Sequence, residues 1–190
     1  EIGTGDWSSD VCSSDLEQAL IEQCRKGDRR ALGELLGNYE RPVYNAAYRI
    51  LGNPDDAADV TQTSFLKAFE HLDQYKSNYR FFSWIYRIAV NESINQLKRG
   101  KKQRSLDDRE IAGNGSPEAV ATADDVSREI QAGLMELSEE YRAVIVLRHF
   151  SECSYRQISD ILQIPEKTVK SRLYSARQLM KEKLQATGMH

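Results

Sequence analysis

Two helical stripes in this sequence carry side chains suited to contact with nucleic acid. Toward the C-terminus, Lys167, Ser171, Tyr174 and Gln178 recur at helical spacing, flanked by Lys170, Arg177 and Lys181. Such a face offers donors, acceptors and an aromatic edge, the groups that meet base edges and phosphates. Its reverse holds Val169, Leu173, Ala176 and Met180, which fall within about 60° of one another at 100° per residue and predict a buried stripe. Nearer the middle, Trp84, Arg87, Asn91, Asn95 and Lys98 line up opposite Phe82, Ile85, Tyr86, Ala89, Val90 and Leu97. A solvated face is ordinarily rich in Glu and Lys. Amides, a guanidinium and an indole suit hydrogen bonding to bases and stacking on unpaired ones. Just upstream, Tyr75, Lys76, Tyr79, Arg80, Phe81 and Phe82 concentrate aromatic and basic residues in an expected loop. Aromatic residues at this spacing also make good core, and both readings stay open at this level.

These faces need elements to hold them. Asn53-Pro54-Asp55-Asp56 predicts a helix start, with Asn as cap, Pro in the first turn and acids at the positive end of the dipole. That helix places Val60, Ser64 and Ala68 on one side, and Phe65 and Phe69 at i, i+4. Gly52 predicts the stop of a preceding helix over Pro42 to Leu51, and a further helix is expected from Phe82 to Arg99. Gly113, Gly115, Ser116 and Pro117 then break the period. Helical pattern resumes near Asp124, with Leu134, Leu137, Tyr141, Val144, Ile145 and Arg148 spaced as one amphipathic helix. Two short helices follow, Tyr155 to Leu162 and Glu166 to about Leu184, joined by Gln163-Ile164-Pro165. This pairing is the sequence form of a helix-turn-helix. No alternating β-branched run predicts a strand. The expected fold class is all-α, with small helical domains at 17–100 and 128–185, a flexible linker at 101–127 and a short tail at 186–190.

Composition narrows the function. The 190 residues are 40% apolar and 29% charged, with 26 Lys and Arg against 29 Asp and Glu, a net charge of −3. Residues 154–184 nevertheless hold seven basic and three acidic side chains, and residues 80–104 hold seven basic and one acidic. The basic patches sit in a mildly acidic whole, which disfavours indiscriminate DNA binding. No apolar run approaches a membrane span. Cys12, Cys24 and Cys153 form no CxxC pair, and His71, His149 and His190 are scattered. With no HExxH, DxD or phosphate-binding loop, no catalysis, cofactor or metal is expected, and the compartment reads as cytoplasmic. The first sixteen residues stand apart. Asp6 to Leu16 matches, residue for residue, one translated frame of a sequencing-library adapter, so residues 1–16 are read as a disordered artefact and the true start as missing.

The stretches WIYRIAVNESINQLKR and LSEEYRAVIVLRHFSECSYRQISDILQIPEKTVKSRLYSARQLMKEKL, in this order and on either side of a tether, resemble bacterial sigma factors of the sigma-70 family. More narrowly they resemble the extracytoplasmic-function (ECF) group, which keeps only regions 2 and 4. The resemblance spans about Leu20 to Leu184. It implies a factor that binds core RNA polymerase and directs recognition of the −10 and −35 promoter elements. Asp56, Asp59, Gln62, Phe65 and Leu66 would meet the clamp helices of the β′ subunit; many relatives have an acid where this chain has Thr63. Tyr79, Phe82, Trp84, Arg87, Asn91, Asn95 and Lys98 would recognise and melt the −10 element, with the Tyr75 to Phe81 loop holding a flipped base. Lys167, Thr168, Lys170, Ser171, Tyr174 and Ser175 would read the −35 element, with Arg172 and Arg177 nearer phosphates; relatives commonly have a basic residue at Ser175. The β flap of polymerase and an anti-sigma factor are further implied partners. The competing reading is a stand-alone helix-turn-helix regulator that works without polymerase.

Overall fold

The computed structural model describes residues 11–76, 80–107 and 125–186. Among them lie α1 (Val11–Arg25), α2 (Arg29–Leu51), α3 (Pro54–Glu70), a 3-10 turn (Leu72–Gln74), α4 (Phe81–Asp107), α5 (Asp125–Glu136), α6 (Glu139–His149), α7 (Tyr155–Leu162) and α8 (Glu166–Ala186), with no strand. The fold is all-helical, as the sequence pattern predicts.

Local chemistry explains the boundaries. Asn53 accepts from the backbone N–H groups of Asp55 and Asp56 at 2.8 and 3.1 Å, and Asp55 and Asp56 occupy the first turn of α3. Gly52 ends α2 at φ 74°, and its N–H returns to the Tyr48 carbonyl at 2.7 Å. The helix it ends is longer than the expected Pro42 to Leu51. Asp28 caps α2 through Arg30 and Ala31, fourteen residues before Pro42. Pro42 is accommodated because the carbonyl it orphans belongs to the exposed Asn38, while Leu35, Val43, Ala46 and Ile50 hold the helix on its core. Likewise α4 does not stop at Arg99. Gly100 is tolerated in open space, and the helix runs through the strong formers that follow, to Asp107. The single helix expected from Asp124 to Arg148 is two: Ser138 is extended at φ −60°, ψ 155°, and Glu139 and Glu140 open α6. Of the suspected adapter residues 1–16, expected to be disordered, residues 11–16 instead begin α1; residues 1–10, Tyr79, the centre of the linker at 108–124 and the tail at 187–190 lie outside the described residues.

Helices α1 to α4 are described here as one group and α5 to α8 as another. In the first, α3 and α4 approach closely through small residues. Thr61, Ser64 and Ser93 are buried there because each hydroxyl donates to the carbonyl four residues earlier, at 2.7, 2.6 and 2.8 Å. In the second, α8 packs on α6 and α7 through Val169, Leu173 and Ala176. The groups also pack against each other, a point the tether leaves open: α4 lies on α7, and α2 on α5 and α6.

One buried cation organises that contact. Arg142 of α6 is 6% exposed and donates to the carbonyls of Leu134, Met135 and Leu137 at 2.8 to 3.0 Å, and to Ile50 at 2.6 Å. These carbonyls lie at the C-terminal ends of α5 and α2, so two negative dipole ends share one guanidinium. Beside it, Arg49 lies 4.7 Å over the Phe150 ring and donates to Gln131 at 3.1 Å.

Candidate nucleic-acid interface

The helix-turn-helix is built from short-range hydrogen bonds. Ser154 and Gln157 form a reciprocal capping box at the start of α7, with bonds of 3.2 and 2.8 Å. Gln163 ends α7 in the left-handed conformation at φ 54°, its amide folded back on the Asp160 carbonyl. The Ser159 hydroxyl donates to Ile164 at 2.6 Å and closes the turn. Pro165 then delivers the chain into α8.

On α8 the predicted division of faces is realised. Val169, Leu173 and Ala176 are fully buried, and Met180 is half-buried. Lys167, Lys170, Ser171, Tyr174, Arg177, Gln178 and Lys181 are exposed, Tyr174 at 68%. Thr168 and Ser175 are half-buried at the edge. The Arg172 guanidinium, expected beside phosphates, pairs here with Glu140 of α6 at 2.6 Å, bracing α8 against the bundle. Lys170 lies 5.7 Å over the Tyr155 ring, a cation–π contact that ties α8 to α7. Arg177 donates to Nε2 of His149 at 3.2 Å. Burial and the cations of Arg177 and Arg148 hold the His149 pKa below its usual value, consistent with an imidazole that accepts this bond. His149 is the last residue of α6 and a packing partner, as its position suggests.

The α4 face is narrower than the sequence predicts. Arg87, Asn91, Asn95 and Lys98 are exposed along one side, spanning about 16 Å at 1.5 Å per residue. Trp84 does not join them as a free platform; its ring is half-buried, 5.3 Å from Tyr75 and 5.4 Å from Phe81. Phe82 is half-buried and stacks on Tyr86 at 4.3 Å. Tyr86 itself is buried. Tyr75 and Phe81, expected in a base-holding loop, are core residues at 6% and 1% exposure. The core alternative wins for both, because four aromatic rings, with Tyr39 and Trp84, close over one another there.

A third face lies on α3. Asp59, Gln62 and Leu66 are exposed at i, i+3 and i+7, Leu66 at 65%. Asp56 is half-buried and accepts from Gln96 at 3.2 Å; Phe65 packs against the core. Phe69, one turn after Phe65, is 50% exposed and extends the Leu66 stripe by one turn. Sequence reasoning missed this, although the i, i+3 spacing from Leu66 carries it. It also missed Glu40, Arg41 and Tyr44 of α2, which line a shallow cleft beside Thr61 and Gln62. Among the described residues no group of three or more His, Cys, Asp or Glu could hold a metal ion, and no helix is long and apolar enough to cross a membrane. Cys24 and Cys153 are buried free thiols, and desolvation pushes the Cys153 pKa up to about 12.

The chain was compared with known proteins. Residues 35–103 match Sigma-70 region 2, and residues 127–180 match Sigma-70, region 4. The ECF RNA polymerase sigma factor SigW of Bacillus subtilis is 33% identical over 86% of this chain and 94% of its own length. The ECF RNA polymerase sigma-E factor of Salmonella typhimurium is 31% identical over 89% and 94%. Among solved structures, CnrH in complex with the cytosolic domain of CnrY aligns with a TM-score of 0.70 and 25% identity, over 90% of this chain and 99% of that one. The sigma factor RpoE of Bartonella quintana, in complex with the anti-sigma factor NepR, aligns at 0.68 and 25%, over 80% and 96%. Matched in both regions and along most of its length, the chain belongs to the sigma-70 family and, within it, to the extracytoplasmic-function group of promoter-recognition sigma factors.

Proposed function

We propose that this chain binds core RNA polymerase through the α3 face, reads the −35 element with α8, and takes the −10 element on α4. The observation that carries the reading is the presence of three separate exposed faces on one chain, two polar and basic, one acidic with an apolar stripe. A stand-alone regulator needs one DNA face and gives no reason for exposing Leu66 and Phe69. Arg87, Asn91, Asn95 and Lys98 meet the −10 strand. Trp84 and Phe82 support them from behind, and Tyr79 belongs to the same approach. Lys167, Thr168, Lys170, Ser171, Tyr174, Ser175 and Arg177 form the −35 surface. On α3, Asp59, Gln62 and Leu66 meet the β′ clamp helices, with Asp56 and Phe65 holding their geometry. The β flap contacts region 4, and an anti-sigma factor covers the same surfaces in the polymerase-free protein. The chain carries no catalysis of its own and works in the cytoplasm.

Run-off transcription from a mixed promoter library, with bacterial core polymerase and the full chain, tests this directly. Transcripts are expected only when the chain is present, and they define the −35/−10 pair. Binding to duplex DNA without any transcript would favour the stand-alone regulator.

Two substitution pairs separate the faces. Asp59→Ala with Gln62→Ala is expected to weaken core polymerase association by about tenfold, since each lost polar contact costs about 0.5–1.5 kcal/mol. Thermal unfolding should not move, because both side chains are exposed. Ser171→Ala with Tyr174→Ala is expected to relax −35 preference by about 1–3 kcal/mol per base pair read, scored as the spread of transcript yields across −35 variants.

A further inference from the structure

Arg177 lies one turn beyond Tyr174 on the exposed side of α8, and its guanidinium is held there. The Nε–H donates at 3.2 Å to Nε2 of His149, the last residue of α6. A guanidinium donates and never accepts, so the imidazole must be the acceptor, with Nε2 unprotonated. The ring is therefore neutral in this pairing and carries its proton on Nδ1. Because the bond uses Nε, both terminal nitrogens of Arg177 stay available, and they form the planar fork that grips a phosphate. A second cation lies near the ring. Arg148 precedes His149 on α6, but its guanidinium donates to the Cys153 carbonyl at 2.9 Å and lies 5.3 Å over the Tyr155 ring. Arg148 is thus engaged elsewhere, and Arg177 takes the imidazole. Partial burial, Arg177 and Arg148 all oppose a positive charge on His149. The other charged group lining the cleft around the pair is Lys181, also a cation, while α5 and α6 contribute Ile130 and Ile145.

We infer that His149 is a positioning residue for −35 recognition, holding the Arg177 guanidinium with its fork free for the phosphate backbone before DNA arrives. The inference rests on the reading that α8 takes the −35 duplex. An exposed arginine otherwise samples many rotamers, and that freedom is lost at binding. His149 itself need not touch DNA. The device responds to pH in one direction. Protonation places a hydrogen on Nε2, removes the acceptor and sets two cations face to face. Arg177 is therefore released as pH falls through the His149 pKa, which lies below the ordinary 6.5.

The test uses holoenzyme assembled from core polymerase and the full chain, with a duplex fragment carrying the −35/−10 pair defined by run-off. Arg177→Ala is expected to weaken binding about tenfold, evenly across −35 variants, and to lower the slope of log affinity against log salt by about 0.9, the loss of one phosphate contact. His149→Leu should weaken binding about threefold alone and by nothing further in the Arg177→Ala background. His149→Gln offers a side-chain oxygen to the Arg177 Nε and should bind within about twofold of wild type. Between about pH 7.5 and about pH 5.5, wild type should lose about threefold relative to His149→Gln, which has no ring to titrate. That comparison needs no apolar replacement, so it stands even if His149→Leu fails to fold. A His149→Leu loss that persists beside Arg177→Ala would overturn the inference and make His149 a packing residue alone. Tighter wild-type binding on acidification would overturn it too, making the imidazolium itself a phosphate contact. An Arg177→Ala variant with wild-type affinity and salt slope would leave His149 nothing to position, yet the −35 reading would survive if Ser171→Ala with Tyr174→Ala still relaxes −35 preference. Unchanged preference in that pair would instead remove the −35 reading, and the inference with it.

Discussion

Replacing Arg142 with methionine is expected to lower the stability of the chain by about 3–5 kcal/mol, seen as a fall in the midpoint of denaturant unfolding. The figure follows from what the guanidinium leaves behind. It donates to four carbonyls, of which Leu134 keeps a second donor in the Leu137 N–H at 3.1 Å. The other three lose a charge-assisted partner, at about 1–3 kcal/mol for each that stays buried, and partial hydration brings the sum to the stated range. Arg142→Lys should recover little, because one ammonium is a point donor and cannot span the ends of two helices. Because the Ile50 bond crosses from α6 to α2, the loss falls on the contact between the two groups as well as on region 4. Limited proteolysis of the variant should accordingly cut faster between them. An unchanged midpoint would mean that water satisfies these carbonyls and that Arg142 is dispensable to the packing.

Arg142 also shows where reading the sequence stops. The residue is visible in LSEEYRAVIVLRHF, but there it is one arginine in a helix with charged neighbours. Its function depends on two helix ends, one of them 92 residues away, converging on it. Local rules do better where the cause is local. The Asn53 cap, the Gly52 stop, the two short helices around Gln163-Ile164-Pro165 and the buried stripe of α8 depend on residues within one or two turns, and each lies where the pattern puts it. The exposed half of α8 is equally legible, since burying Val169, Leu173 and Ala176 leaves Tyr174 no option but solvent. Arg172 escapes because its partner Glu140 lies on another helix. Pro42 misleads for the opposite reason: a strong local breaker is overruled by apolar burial on either side of it.

The aromatic run before α4 yields the second large effect, and it separates two roles that composition cannot. Phe81→Ala is expected to cost about 3–5 kcal/mol, the range for truncating a buried phenylalanine. The ring is 1% exposed and lies 5.4 to 5.5 Å from the rings of Tyr39, Tyr75 and Trp84, so its removal empties the centre of a four-ring cluster. Phe81→Leu keeps most of the apolar volume and should cost about 1 kcal/mol. Were Phe81 a stacking platform for a base, the leucine variant would lose single-strand affinity nearly as fully as the alanine variant, because an aliphatic side chain offers no π-face. As a core residue it should instead let the leucine variant bind the −10 oligonucleotide within about threefold of wild type. The alanine variant should fail only in proportion to its unfolded fraction. Measuring unfolding midpoints and oligonucleotide affinity on the same two proteins decides between the roles. The burial geometry predicts that affinity follows stability here, whereas at the exposed Asn91 a substitution to alanine should lower affinity and leave stability unchanged.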